Sequence, residues 1–144
     1  MTALQPLPQV DFIPGVRLLA RLTRVAEQAC QTTGISLPQY RLLASVIDGP
    51  HRASALASRV GVSRPTLTSL VDGLEHAGLL RRVPVPTDRR GIELEATSAG
   101  LEAVGRADVA LTERFLGLLD AGQAAQLVDV VRQIGHALDD ERRH

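Results

Sequence analysis

The segment 83–100, VPVPTDRRGIELEATSAG, places Asp88 directly before two adjacent arginines, Arg89 and Arg90, between two short stretches that contain β-branched residues. An Arg guanidinium is planar and always charged, and its fork of N–H donors matches a phosphate or the edge of a guanine. A turn between two strands needs Gly, Pro, Asn or Asp, but it does not need two arginines side by side. The pair therefore points to a polyanionic partner.

The charge distribution along the chain supports the same interpretation. The 16 basic residues, all of them Arg, balance 16 acidic residues, so the formal net charge is zero. Residues 50–92 nevertheless hold seven Arg against three acids, a local balance of 7 − 3 = +4, whereas residues 93–144 hold five Arg against ten acids. A basic central segment is typical of a chain that contacts nucleic acid through that segment.

The sequence lacks the features that are expected of several classes of protein. The chain has one cysteine, Cys30, which excludes an intramolecular disulfide and fits a reducing cytoplasm. It shows no phosphate-binding glycine loop, no Ser/His/Asp set and no carboxylate pair at catalytic spacing, so we expect neither an enzyme nor a bound cofactor. The four histidines (51, 76, 136 and 144) lack compact metal-ligand spacing. No apolar run is long enough for a membrane span and no secretion signal is evident, so we expect a soluble cytoplasmic protein.

The elements that must position the arginines follow from the hydrophobic period. We predict an extended arm over 1–12, a first helix over 14–33, a second from Ser36 to Gly49 and two short helices over 52–60 and 63–77. Ser36 followed three residues later by Gln39 is a capping-box pattern at the start of the second helix. The period then changes to two, which predicts strands at 79–83 and 92–96 around a loop that carries the prolines and arginines. Two long helices follow. The residues predicted to be buried in the second helix are Leu42, Leu43, Val46 and Ile47.

This order predicts a mainly α fold, a winged helix-turn-helix whose wing is a two-stranded β-hairpin. Gly61 permits the sharp turn between the two short helices, and Ser63 caps the helix that follows. That helix presents a polar face (Ser63, Arg64, Thr66, Thr68, Ser69 and Asp72) opposite its apolar face. Capped short helices joined by Gly also occur without DNA, but the hairpin favours DNA binding.

Residues 56–100 resemble the signature of the MarR family of transcriptional regulators. The matching features are the Leu-Ala opening, the Gly-Val-Ser turn, the run of leucines into the wing, Asp88-x-Arg90 and the return to Thr97-Ser-Ala-Gly100. The segment LPQYRLL in the second helix fits as well. The resemblance implies a winged helix-turn-helix over 36–100 and a helical dimerisation region, drawn from both termini, over 14–33 and 101–142.

For double-stranded DNA, the resemblance implies a recognition helix in the major groove and a wing arginine in the minor groove. The major-groove residues would be Arg64, Pro65, Thr66, Thr68 and Ser69, with Ser63 at the helix start. Arg90, helped by Arg89, would act at the wing tip, where Asp88 orients an arginine. Phosphate contacts are expected from Arg52, Ser54 and Arg82.

The resemblance also implies a homodimer on a pseudo-palindromic operator and a repressor that a small-molecule effector releases. Pocket walls would come from Leu22, Ala26, Tyr40, Leu43 and Leu111, which are equally ordinary core positions. A redox role for Cys30 is disfavoured, because sensor thiols need a lowered pKa and often a second Cys. The alternative function is a winged-helix module that binds protein instead of DNA, since Ser69 and Gly73 stand where many relatives carry basic residues.

Overall fold

A computed structural model describes residues 13–141, with the side chain of Ile13 excepted. The predicted arm over 1–12 and His144 lie outside the described residues. The elements in chain order are α1 (Ile13–Gln31), α2 (Leu37–Ala44), β1 (His51–Arg52), α3 (Ala53–Val60), α4 (Arg64–His76), β2 (Leu80–Val85), β3 (Asp88–Ala96), α5 (Ser98–Leu116) and α6 (Ala121–Glu141). This is the mainly helical winged arrangement that the hydrophobic period predicts.

The start of α2 is stabilised by the predicted capping box. The Ser36 hydroxyl accepts the backbone N–H of Gln39 at 3.3 Å, and the Gln39 side chain accepts the backbone N–H of Ser36 at 2.8 Å. Two N–H groups that the helix itself leaves without partners are thereby satisfied. Gly34, just after α1, has φ of 88°, a conformation that favours glycine.

The end of α2 was predicted incorrectly. The helix ends at Ala44 instead of Gly49, and the N–H of Ser45 is shared between the carbonyls of Arg41 and Leu42. Beyond this tightened turn the 3.6-residue period no longer fixes the direction of the side chains. Val46 is still buried, whereas Ile47 is 43% exposed and does not join the core.

The sheet contains a strand that the sequence did not reveal. The three strands lie in the order β1-β3-β2, and β1 pairs His51 with Leu94 and Arg52 with Glu93. A two-residue strand is too short to show a period. The loop of the hairpin is also shorter than predicted: only positions 86–87 lie between β2 and β3, so Asp88, Arg89 and Arg90 belong to a strand.

One core joins α2, α3, α4, the sheet and the first half of α5. The largest fully buried side chains include Leu42, Leu43, Leu56, Leu74 and Leu94. Helix α6 lies outside this core, and none of its residues over 121–141 is buried. Within residues 13–141, no helix is long and apolar enough to cross a membrane.

Candidate DNA-binding surface

The turn between α3 and α4 has the geometry that its sequence predicts. Gly61 adopts φ of 74°, and its N–H bonds the carbonyls of Ala57 and Ser58. The N–H of Val62 also bonds the carbonyl of Ala57, at 3.0 Å, and the Val62 side chain packs against the core. The turn therefore closes α3 and sets the angle at which α4 leaves it.

The first turns of α4 expose a row of hydroxyl groups. The Ser63 hydroxyl accepts the N–H of Thr66 at 3.3 Å and shares a 2.8 Å hydrogen bond with the Thr66 hydroxyl. The hydroxyl of Thr68 donates to the carbonyl of Arg64, and that of Ser69 donates to the carbonyl of Pro65. With these protons directed along the helix, the exposed oxygens present lone pairs that can accept from base edges.

The opposite face of α4 holds the helix on the core. Leu67, Val71 and Leu74 are buried at intervals of three and four residues. Arg64, one position into the helix, is exposed. The burial pattern therefore directs a cation and several hydroxyls outward from a helix whose inner face is fixed.

Asp88 organises the tip of the wing. Its Oδ2 lies 3.1 Å from a guanidinium nitrogen of Arg52, and its Oδ1 accepts the backbone N–H of Arg90 at 3.1 Å. The hydrogen bond from the backbone of Arg90 is the largest cause, and that from Arg52 the second, of a pKa for the Asp88 carboxyl below its usual value of 3.8. The arginine side chain that Asp88 contacts is thus Arg52, on the neighbouring strand, while it contacts Arg90 through the backbone.

An irregularity in β3 exposes the two arginines of the wing, Arg89 and Arg90. Pro84 is opposite Ile92, but the next residue, Val85, is opposite Asp88, so residues 89–91 have no counterpart on β2. Inserted residues of this kind bend a strand and redirect its side chains. Gly91 fits here because a Cβ would lie only 2.9 Å from Cγ2 of Val85 and 3.0 Å from Oδ2 of Asp88. Arg89 and Arg90 are both exposed on the resulting bulge.

Arg82 is engaged with α4. One guanidinium nitrogen lies 2.5 Å from Oδ1 of Asp72 and the other contacts Oε2 of Glu75. The bond to Asp72 is the main cause of a raised pKa for Arg82. The adjacent Arg81 pairs instead with Glu95 across the strands, at 2.6 Å. Sequence reasoning missed the acidic partners, although the spacing of 72 and 75 places both on one face of a helix.

The residues predicted to contact phosphates thus have different surroundings. Ser54 is exposed in the first turn of α3, and the Arg52 side chain is 51% exposed beside Asp88. The Arg82 side chain is 34% exposed and lies between two carboxylates.

The five residues predicted to line a pocket lie in different surroundings. Leu43 is completely buried in the core, and the Tyr40 hydroxyl donates to Oδ1 of Asp108 at 2.6 Å. Leu22 and Leu111 line an apolar groove of about 590 Å³ between α1, α5 and α6. Leu22 and Ala26 line a second hollow, of about 370 Å³, with residues of α2.

Cys30 is fully buried near these residues. Burial raises the pKa of its thiol, and Asp108 adds to the shift. A raised pKa disfavours the thiolate that oxidation requires.

Comparisons with known proteins agree with this geometry. The sequence model of the MarR family matches residues 33–91. A putative transcriptional regulatory protein for the hcr operon of Thauera aromatica is 28% identical over 120 residues, which cover 81% of this chain and 72% of that protein.

Two solved structures extend the comparison over most of the chain. The PcaV transcriptional regulator of Streptomyces coelicolor, solved in complex with its natural ligand, is 28% identical with a TM-score of 0.65, covering 91% of this chain and 99% of PcaV. The repressor CouR, bound to a 23-mer DNA duplex, is 22% identical with a TM-score of 0.71, covering 88% of this chain and 92% of CouR, and shows the shared fold. Over residues 33–91 the chain is similar to the MarR family of transcriptional regulators, and its fold is that of the solved regulators PcaV and CouR.

Proposed function

We propose that this protein is a homodimeric repressor that binds a pseudo-palindromic operator and is released by a small-molecule effector. One observation carries the proposal: a single chain presents three exposed features. These are a polar face on α4, a wing that bears arginines, and an apolar surface on the outer helices α1, α5 and α6. The first two features suit DNA, and the third suits a second copy of the chain.

The DNA contacts come from α4 and the wing tip. The first turns of α4 enter the major groove, where Arg64 reads guanine and the hydroxyl oxygens accept from base amino groups. The residues involved are Ser63, Arg64, Pro65, Thr66, Thr68 and Ser69. Arg90 enters the adjacent minor groove with Arg89 beside it, because the bulge presents both side chains to solvent. Ser54 and Arg52 meet the phosphates that flank the recognition helix.

Dimerisation rests on the apolar surface of α1, α5 and α6. Val16 and Leu19 on α1 are 61% and 64% exposed, and Val131 and Ile134 on α6 are 55% and 53% exposed. An apolar surface that spans several elements is typical of a protein interface. Two-fold symmetry then repeats α4 on two half-sites about 34 Å apart, one turn of DNA.

The effector site is proposed in the hollow lined by Leu22 and Ala26. This hollow lies between α1 of the dimerisation region and α2 of the winged region, so a bound molecule there touches both. A ligand that prefers one relative arrangement of the two regions shifts the spacing of the recognition helices and thereby the affinity for the operator. The natural ligand in the PcaV structure supports small-molecule control in a relative of this chain.

A fluorescence anisotropy titration against the upstream DNA of the protein's own gene, repeated over a salt series, tests the proposal. We expect saturable binding that is tighter than binding to a scrambled duplex and that weakens steeply as salt increases, because phosphate contacts release counterions. Absent or salt-insensitive binding would contradict the proposal and favour the winged-helix protein-interaction module.

A further inference from the structure

We infer that Arg82 is a positioning residue that fixes the wing against the recognition helix, and that it does not contact phosphate as its sequence position suggested. The inference rests on the proposed function, since it concerns how the wing and α4 reach two grooves at once. Three independent features of the structure support it.

The first feature is the bridging geometry. The two terminal nitrogens of one guanidinium contact different carboxylates, Asp72 and Glu75, which are three residues apart on α4. A side chain held at two points on a helix has a defined direction, and the strand that carries it is held with it. The bridge therefore connects the last half of α4 to the base of the wing.

The second feature is the face of the strand on which Arg82 lies. Arg82 is directly opposite Leu94, and residues directly opposite in a sheet share a face. Leu94 and Leu80, two residues before Arg82, are buried, so this is the face that packs on the core. Arg81 lies on the other face, opposite Glu95. The Arg82 side chain is accordingly 34% exposed, whereas that of Arg81 is 63% exposed.

The third feature is the local charge. Arg82 with its two carboxylates has a sum of +1 − 2 = −1, so the cluster as a whole repels a phosphate. A phosphate that recruited Arg82 would have to displace two carboxylates that already neutralise it. The chemistry thus favours the arginine as the group that keeps two acids of the recognition helix from opposing DNA.

A thermodynamic cycle of operator affinities tests the inference. The four proteins are the wild type, Arg82→Gln, the pair Asp72→Asn with Glu75→Gln, and the triple variant. We expect Arg82→Gln to weaken binding about tenfold in the wild-type background and less than twofold when the acids are absent, because the bridge is then already broken. A loss that is equal or larger without the acids would overturn the inference, since it would mean that a freed Arg82 binds DNA directly.

Two further variants separate the bridge made by Arg82 from its charge. Arg81→Gln removes the same charge from the outward face of the same strand and breaks the ion pair with Glu95, so it reports the cost of losing an ion-paired arginine that does not contact α4. Arg82→Lys keeps the charge but not the planar fork that spans two carboxylates. We expect Arg82→Lys to bind the operator more weakly than the wild type, and wild-type affinity with lysine at this position would overturn the inference. Unfolding temperatures of all variants separate a loss of affinity from a loss of fold.

Amide hydrogen exchange of the free protein gives a readout that needs no DNA. We expect Arg82→Gln to speed exchange in β2 and β3, whereas Arg81→Gln leaves it near the wild-type rate. Equal exchange in wild type and Arg82→Gln would overturn the inference. If the wild type fails to bind any operator, the proposed function fails while the exchange experiment still decides whether Arg82 holds the wing.

Discussion

The winged region and α6 use the same apolar residue types with opposite results. Leu42, Leu56 and Leu74 of the winged region are at most 1% exposed, whereas Val131 and Ile134 of α6 are more than half exposed. The boundary runs along α1, where Val16 is 61% exposed and Cys30, near the other end, is fully buried. The difference shows that the winged region completes its core within one chain, while the outer helices carry apolar surface that one chain does not cover.

The largest effect is expected from Gly100→Ala, which breaks the winged region. The N–H of Thr97 bonds the carbonyl of Leu79, and its hydroxyl bonds that of Gly78, so the start of α5 lies against the start of β2. A Cβ on Gly100 would overlap the carbonyl oxygen of Leu79. We expect a decrease of about 3 kcal/mol in the free energy of unfolding, measured by urea denaturation.

Gly105→Ala is the matched control on the same helix, because a Cβ there meets nothing within 4 Å. Alanine at an open helix position should raise stability by about 0.5–1 kcal/mol. Equal effects of the two substitutions would contradict the packing described for α5.

The second prediction tests the outer helices. Val131→Asp with Ile134→Asp places charges on the apolar face of α6, and burying such charges in an interface is costly. We expect dimer affinity to fall by at least about 100-fold, measured by sedimentation equilibrium, with the circular dichroism of the winged region retained.

His136→Asp adds a charge to the opposite face of α6 and should leave the dimer intact. Dimers that survive the double substitution would show that this surface is not the interface.

The third prediction separates DNA contact from dimerisation. Arg90→Ala removes the guanidinium proposed to enter the minor groove and should weaken operator binding by about 1–3 kcal/mol, measured by anisotropy, with an unchanged dimer. Arg89→Ala is the neighbouring comparison and should cost less. If Arg90→Ala binds as tightly as the wild type, the assignment of the wing tip is wrong.

Asp88→Ala should have a smaller effect, and its sign is informative. The substitution removes a negative charge near DNA, yet it also removes the acceptor for Arg52 and for the backbone of Arg90. We expect affinity to fall about three- to tenfold in the same titration, as for the loss of one exposed ion pair with a backbone hydrogen bond. Tighter binding would mean that Asp88 is only a turn residue.

The smallest effect concerns pH. The pKa of Asp88 in the folded protein lies below its usual value of 3.8. The ionised carboxylate therefore contributes fully to the free energy of unfolding at any pH above the pKa of the unfolded chain, and this contribution is lost as the pH falls through the pKa of the folded protein. We therefore expect no Asp88-dependent change in stability between pH 5 and 8. Carboxyl carbon NMR should give a midpoint below 3.8, and a midpoint above it would contradict the hydrogen bonding at the wing tip.

The sequence predicted the parts of the fold that follow from local rules. The capping residues Ser36 and Ser63 and the left-handed Gly61 act through neighbouring backbone atoms, so their types and spacing are sufficient to locate them. The resemblance of residues 56–100 to a known family added the expectation that α4 enters the major groove and that Arg90 enters the minor groove.

The missed features depend on contacts between distant residues. The two-residue β1 exists only because β3 is beside it, and the bulge at 89–91 is visible only from the pairing of β2 with β3. The direction of Arg82 likewise depends on strand register, since a shift of one residue would exchange it with Arg81. A sequence pattern supplies charges and periods, but not the partner that each charge meets.

Selection of binding sites from a random DNA library tests the central claim most directly. A homodimer that reads DNA through α4 and the wing should enrich two inverted half-sites whose centres lie about 34 Å apart, one helical turn. A single unrepeated half-site would contradict the dimer, and the absence of enrichment at low salt would contradict sequence-specific recognition by this surface.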